Sequence, residues 1–302
     1  MAERLTVFTT SLIVLISITG CPQVTPEPVE TTKVEPAKVE PPKPKPLPTV
    51  SFHDKCAPIL NNFVDDKGMV DYKALKQKKR ELKKLLDEFD ELDPNVYNSW
   101  HEEDKIAFWL NAYNIQMLKI ITDNYPIESS RIHRLFWPPT SIRHIKGIWS
   151  NYKFIVMDEE FTLSEIERRF FQQKFDEPRI FFAISHASLS SPPLRNEPYY
   201  GHKLYKQLDD QAKRFLSDPG GFRIDRNEQT VYLSAILQAT WYGKDFISKY
   251  GTDKKFKDQQ PSTRAVLNLA INYISQQDAS FLEVENYSVK YITYDWRLND
   301  GL

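Results

Sequence analysis

Two cysteines, Cys21 and Cys56, are all that this 302-residue chain contains. A multiply bridged scaffold is therefore excluded, and an exported domain of this size can build its core without one. Glycine is scarce too, at nine residues, and only Gly220 and Gly221 are adjacent. No glycine-rich loop is available to cradle a phosphate, so no nucleotide or other cofactor is expected. Six histidines are present, and His101, His133, His144 and His202 show no metal-ligand spacing. The formal net charge is −1 and no basic stripe occurs, which argues against nucleic acid as a partner. Lys76 to Lys84 is locally basic, but Leu82, Leu85, Leu86 and Phe89 recur at helical spacing. Those cations read as the wet face of an amphipathic helix. The apolar run Leu5 to Ile18 is 14 residues long. A membrane-spanning helix needs about 20.

That run has instead the length of the h-region of an export signal, and it follows Arg4. It closes on Ile18-Thr19-Gly20-Cys21, a small residue directly before cysteine. The pattern resembles the lipobox of bacterial lipoproteins. The resemblance implies that residues 1–20 form a signal peptide and that Cys21 carries a diacylglyceryl group at the mature N-terminus. Membrane contact then comes through palmitate-like chains, at about 0.8 kcal/mol per buried methylene. Pro22 and Gln23 follow, where aspartate would retain the protein at the inner membrane. The expected location is the bacterial cell envelope, at the outer rather than the inner membrane. Residues 21–50 are rich in proline interleaved with Glu, Lys, Val and Thr. Such a segment cannot bury enough apolar surface to fold and reads as a semi-rigid stalk.

Residues 51–302 carry the globular domain, with aromatics plentiful enough for a sizeable core. The periodicity predicts helices over Tyr72–Leu92 and Glu102–Asn124, the second buried on all sides at its middle. Thr162-x-x-Glu165 and Ser164-x-x-Glu167 both fit a capping box opening a helix to about Lys174. Arg179–Ser185 reads as a buried strand and Tyr200–Leu216 as a helix. Phe222–Asp225 and Thr230–Ser234 read as a hairpin. Ser262 is expected to cap a further helix, and Val289–Trp296 to form a last strand. Residues 126–150 read as a long packed loop. The fold class expected is α+β, a helix-rich single domain with a small, mainly antiparallel sheet.

Asn111 and Asn114 are candidates for a polar cluster, because two amides three apart share one face of a helix otherwise apolar. They either tie the helix to a neighbouring loop or orient a site. Phe108-Trp109-Leu110-Asn111-Ala112-Tyr113-Asn114 also resembles the opening signature of the domain of unknown function 547 family. Further likenesses follow in order: Val70-Asp71-Tyr72, Leu163 to Glu167, Glu177 to Ile184, Ser188 to Leu194, Trp241-Tyr242 with Asp245-Phe246, and Tyr294 to Asn299. The resemblance covers most of residues 60–300.

The departures from that family bear on chemistry. Members commonly carry histidine where this chain has Arg168 and Phe181, and cysteines where it has His186 and Ser191. A reactive thiol needs a neighbouring base, so a member lacking both is expected to have lost any such nucleophile. His186 and Ser191 remain weak candidates for a new catalytic pair, with Glu167 or Asp295 to orient the imidazole. Cys56 with His53 is a second candidate, against the plainer reading of a small core residue. Arg179 needs a carboxylate, for which Glu167 or Asp295 is the expected source. Trp137, Trp149, Trp241 and Trp296 either pack in the core or line a groove. Two functions stay open. One is an envelope-anchored binding or scaffold module for a peptide, glycan or protein partner, displaying a groove around residues 186–199. The other is an amide hydrolase or acyl-transfer enzyme using His186 with Ser191 or Cys56.

Overall fold

The sequence of α5, Glu102–Asn124, dictates the middle of the molecule. Glu102, Glu103 and Asp104 occupy its first turn, where carboxylates complement the helix dipole. Beyond them Ile106 to Leu118 is buried without interruption, so the helix has no wet face there. A computed structural model describes residues 51–129, 135–238, 243–284 and 286–301, which fall within one compact unit, Thr49–Leu302. The candidate signal, Cys21, the proline-rich segment, His133 and the Trp241-Tyr242 pair lie outside the described residues. Around α5 pack the preceding helices, α1 (Ala57–Phe63), α2 (Tyr72–Gln77), α3 (Lys79–Asp90) and α4 (Pro94–Ser99). The helix predicted over Tyr72–Leu92 is thus two helices. Asp71 caps the first, accepting from the Ala74 N–H at 2.8 Å. Between Leu75 and Leu82 no apolar side chain holds the chain to the core, and the turn breaks at Lys78.

β1 (Phe154–Val156) and β2 (Glu159–Phe161) form a small antiparallel hairpin. Thr162 then closes the expected capping box with Glu165 and starts α6 (Leu163–Ile166). The helix does not run on as regular α-structure: Glu167–Gln172 is a π-helical turn. Residues 179–185 are not a strand. Pro178 and a Glu177 side chain that accepts the Arg179 N–H set a 3-10 helix over Pro178–Phe182. An apolar run of this length does not distinguish the two. α7 (Leu204–Ser217) follows, then β3 (Phe222–Asp225), β4 (Thr230–Ser234), α8 (Gly243–Tyr250), α9 (Pro261–Ala270), α10 (Gln276–Val284) and β5 (Ser288–Ile292). Gln260 rather than Ser262 precedes α9, with Pro261 in its first turn.

The α+β class is borne out, with the strands in two small sheets rather than one. β3 pairs antiparallel with β4 as the predicted hairpin, and β5 adds to β4 in parallel. β5 ends at Ile292, short of Trp296. Residues 295–301 thread between three loops instead. Leu298 N–H donates to Thr140 at 3.0 Å, Leu189 N–H to Arg297 at 2.9 Å, and Val70 N–H to Asn299 at 2.9 Å. This terminal clasp brings the 66–70 turn and the 187–191 loop side by side. Among the described residues no helix is long and apolar enough to cross a membrane.

Candidate functional site

Asn111 and Asn114 both act on main chain. The Asn111 amide donates to the Tyr199 carbonyl and accepts the Tyr199 N–H, each at 2.9 Å. Asn114 does the same for the 183–185 segment, donating to Ala183 at 3.0 Å and accepting from the Ser185 N–H at 2.9 Å. A side-chain amide carries the same donor and acceptor as a peptide group, so each stands in for the neighbouring strand that these segments lack. The two residues fix both ends of the 183–199 loop to α5.

His186 sits at the head of that loop, 3 % exposed. Its Nε2 lies 3.8 Å from Glu167 Oε1, at the start of the π-helical turn. π-turns recur at functional sites because they redirect one side chain. The same carboxylate oxygen accepts from the Tyr113 hydroxyl at 2.5 Å. Burial, followed by the Glu167 charge, pushes the Tyr113 phenol well up, so it stays a donor. The Tyr113 and Trp149 rings stand edge-on to the imidazole at 6.4 and 6.3 Å. Glu167, Tyr113 and His186 therefore form a buried acid–phenol–imidazole centre.

Ser191 does not stand free to attack anything. Its Oγ accepts the main-chain N–H of His186 at 2.7 Å and lies near the Tyr294 hydroxyl. Tyr294 also meets Ser188 Oγ at 2.8 Å. Burial drives the Tyr294 phenol up, partly offset by these serines. Asp295 does not orient His186. Both of its carboxylate oxygens are held by Arg297 Nε, at 3.0 and 2.9 Å, which lowers its pKa. Arg179 pairs with neither Glu167 nor Asp295. It lies between Glu177, at 2.7 Å from Nε, and Asp209, at 2.7 Å from Nη1. Sequence proximity decided the first partner, and α7 delivers the second. The five residues expected as one polar cluster thus serve four separate structures.

Cys56 is wholly buried, and burial pushes its thiol far above the ordinary range. A thiol so placed is inert. His53 turns to Asn111, at 3.2 Å from Nδ1, and to Asp104, at 3.4 Å from Nε2. Burial lowers its pKa although Asp104 opposes the shift. Trp149 and Trp296 are in ring contact at 5.9 Å, and the Arg143 guanidinium lies over Trp137 at 4.6 Å and over Trp296 at 4.9 Å. Among the described residues no group of three or more metal-ligating side chains assembles.

The outer edge of the same loop walls a cleft of about 420 Å³. Ser188 to Pro193 form one side, Asp66 to Met69 another, and Arg214, Phe215, Asp218, Gly220 and Asn299 complete it. Small-molecule pockets occupy about 300–1,000 Å³. Gly68 makes the two loops meet. Its φ is +81°, and an added Cβ would lie 2.7 Å from Pro193 Cβ and 2.7 Å from Leu194 N. Asn299 fixes the floor, donating to the Gly68 carbonyl at 2.9 Å and accepting from the Tyr72 hydroxyl at 2.8 Å. Sequence reasoning placed a groove at this loop but missed Gly68, Met69, Arg214, Phe215 and Asn299, which lie far from it along the chain. A lone glycine after Asp65-Asp66-Lys67 signalled the turn and not its partner.

A helix-rich α+β domain with a buried polar centre and an open cleft beside it is the class these features define. The family described as "Protein of unknown function, DUF547" matches residues 97–216, and the resemblance read from the sequence is borne out over that segment. It takes in α5, Glu167, His186, Ser191, Arg214 and Phe215, and leaves out the 66–69 turn and Asn299. No curated protein and no solved structure matches the chain.

Proposed function

We propose that the chain is an envelope lipoprotein, anchored through lipid on Cys21, whose globular domain is a binding module rather than an enzyme. The observation that carries this reading is the division of labour within one loop. His186 is packed inside the fold, Ser191 has its Oγ held by the His186 N–H at 2.7 Å, and the outer edge of the loop, Ser188 to Pro193 with Ser191 among them, borders an open cleft. A nucleophile needs an accessible, activated atom. Ser191 Oγ already accepts the His186 N–H at 2.7 Å, and Cys56 has no exposed surface. The cleft has both apolar walls and polar groups, the ordinary make-up of a recognition site. A stalk of proline-rich sequence would hold this cleft away from the bilayer, toward an envelope peptide, glycan or protein.

The second reading, an amide hydrolase or acyl-transfer enzyme, draws on the Glu167–His186 approach at 3.8 Å, the geometry of an oriented base. One experiment separates the two. The folded chain from residue 21 onward is treated with a fluorophosphonate and with an iodoacetamide probe, and the labelled residues are mapped by mass spectrometry. The binding reading expects no stoichiometric label at Ser191, folded or unfolded, and none at Cys56 until the protein is unfolded. Stoichiometric labelling of either residue in the folded protein overturns it.

A further inference from the structure

The charges lining the cleft select a kind of ligand, on the reading that the cleft is a binding site. Three arginines border α7 and its neighbours. Arg179 is held by Glu177 and Asp209, and Arg195 by Glu197 and Asp210. Arg214, on the cleft wall, spends one guanidinium nitrogen on the Asp66 carbonyl and has no carboxylate partner among the described residues. Lys67, exposed at the rim, has none either. A planar guanidinium is the side chain best shaped to take a carboxylate.

Two carboxylates share the cleft. Asp66 accepts from the Asn196 amide at 2.8 Å, and Asp218 accepts from the Gly220 N–H at 2.7 Å. With two cations and two anions the cleft lining is balanced in charge, so a polyanion would meet repulsion as well as attraction. A sugar would need an aromatic platform, and the one aromatic residue lining the cleft, Phe215, is only 4 % exposed. Met69, Leu189, Pro192 and Pro193 supply aliphatic surface instead, with Leu189 41 % exposed. Aliphatic walls beside charges of both signs match an amino-acid side chain and a charged peptide end.

We propose that the cleft binds a short peptide by its free carboxylate, which pairs with Arg214 and Lys67 while an aliphatic side chain lies against Met69 and Leu189. The carboxylate and not the peptide bond is the recognised group.

The test uses the chain from residue 21 onward with Cys21→Ser, titrated calorimetrically with Ala-Leu-Ala, its C-terminal amide, and the trimer of N-acetylglucosamine. The free acid is expected to bind at least roughly tenfold tighter than the amide, the scale of one charge-assisted contact. Arg214→Gln should remove that difference, and Arg214→Lys should keep part of it. Leu189→Trp, which fills the cleft from an exposed position, should weaken both peptides. Equal binding of acid and amide that Leu189→Trp still abolishes would overturn the carboxylate proposal and leave the cleft as the site. Peptide binding indifferent to Leu189→Trp would overturn the cleft reading itself. Binding of the saccharide alone, or of none of the three probes, would overturn the peptide proposal.

Discussion

Replacing Asn111 by leucine keeps the branched shape of the side chain and exchanges the amide for two bulkier methyl groups. Two main-chain groups of Tyr199, one N–H and one C=O, then lose their partners inside the protein. Asn114→Leu orphans the Ser185 N–H and leaves the Ala183 carbonyl only the Tyr199 hydroxyl, at 3.3 Å. The three residues that carry these groups, Tyr199, Ala183 and Ser185, are all buried. Each orphaned buried group costs about 1–3 kcal/mol, so Asn111→Leu, with two, should cost about 2–6 kcal/mol and Asn114→Leu, with one, about 1–3 kcal/mol. That is a large part of the about 5–15 kcal/mol typical of a whole domain. The two should not add. The Asn114 amide and the Tyr199 hydroxyl both donate to the Ala183 carbonyl, at 3.0 and 3.3 Å, so the sites share a partner. A coupling of at least about 0.5 kcal/mol is expected in the double variant. Urea unfolding followed by circular dichroism gives the three values, with Asn272→Leu, on an exposed position, as a control near zero. Single-variant losses below about 1 kcal/mol, at unchanged slope, would refute the view that these amides replace missing strands.

Further outcomes follow from the same geometry. Gly68→Ala should lower stability by at least about 2 kcal/mol, since left-handed backbone alone costs a side chain about 1–2 kcal/mol and the new methyl would sit 2.7 Å from Leu194 N; thermal unfolding reads it. Burial would raise the Glu197 carboxyl, but hydrogen bonds from Lys203, Arg195 and Gln207 outweigh it and hold the pKa at about 2. A depressed folded-state pKa contributes stability above the unfolded value, near about 4.3, that is lost as pH falls through about 2. Unfolding midpoints should therefore fall across that window, and fall less in Glu197→Gln. Cys21→Ser should move the protein from the membrane fraction to the soluble fraction, and mass spectrometry of the native protein should show diacylglyceryl on Cys21; an unmodified Cys21 would contradict the anchor.

Helix periodicity made α5 legible because its apolar residues recur on every face, and the capping box at Thr162 announced its helix by spacing alone. The β3–β4 hairpin was equally local. What failed was decided partly by neighbouring turn chemistry and partly by residues distant in sequence. Arg179 looked like the head of a strand in need of Glu167 or Asp295. Pro178 and Glu177 turned it into a 3-10 helix, and Asp209 arrived from α7. The run to Trp296 looked like one strand, whereas main-chain bonds from Thr140, Leu189 and Val70 draw its second half away as a clasp. In the site, the 186–199 loop was legible from its serines and prolines. The surfaces that complete the cleft, Gly68 with Met69 and Arg214 with Phe215, are brought there by packing that no short window reveals.

A binding module acts through the cleft, and an enzyme through the buried imidazole. Rescue of a deletion strain by two variants, each at wild-type abundance in the membrane, measures this directly. His186→Gln, which removes the base, should restore whatever the deletion loses, and Leu189→Trp, which fills the cleft, should not. Rescue by Leu189→Trp together with failure of His186→Gln would contradict the binding account and leave catalysis at Glu167 and His186.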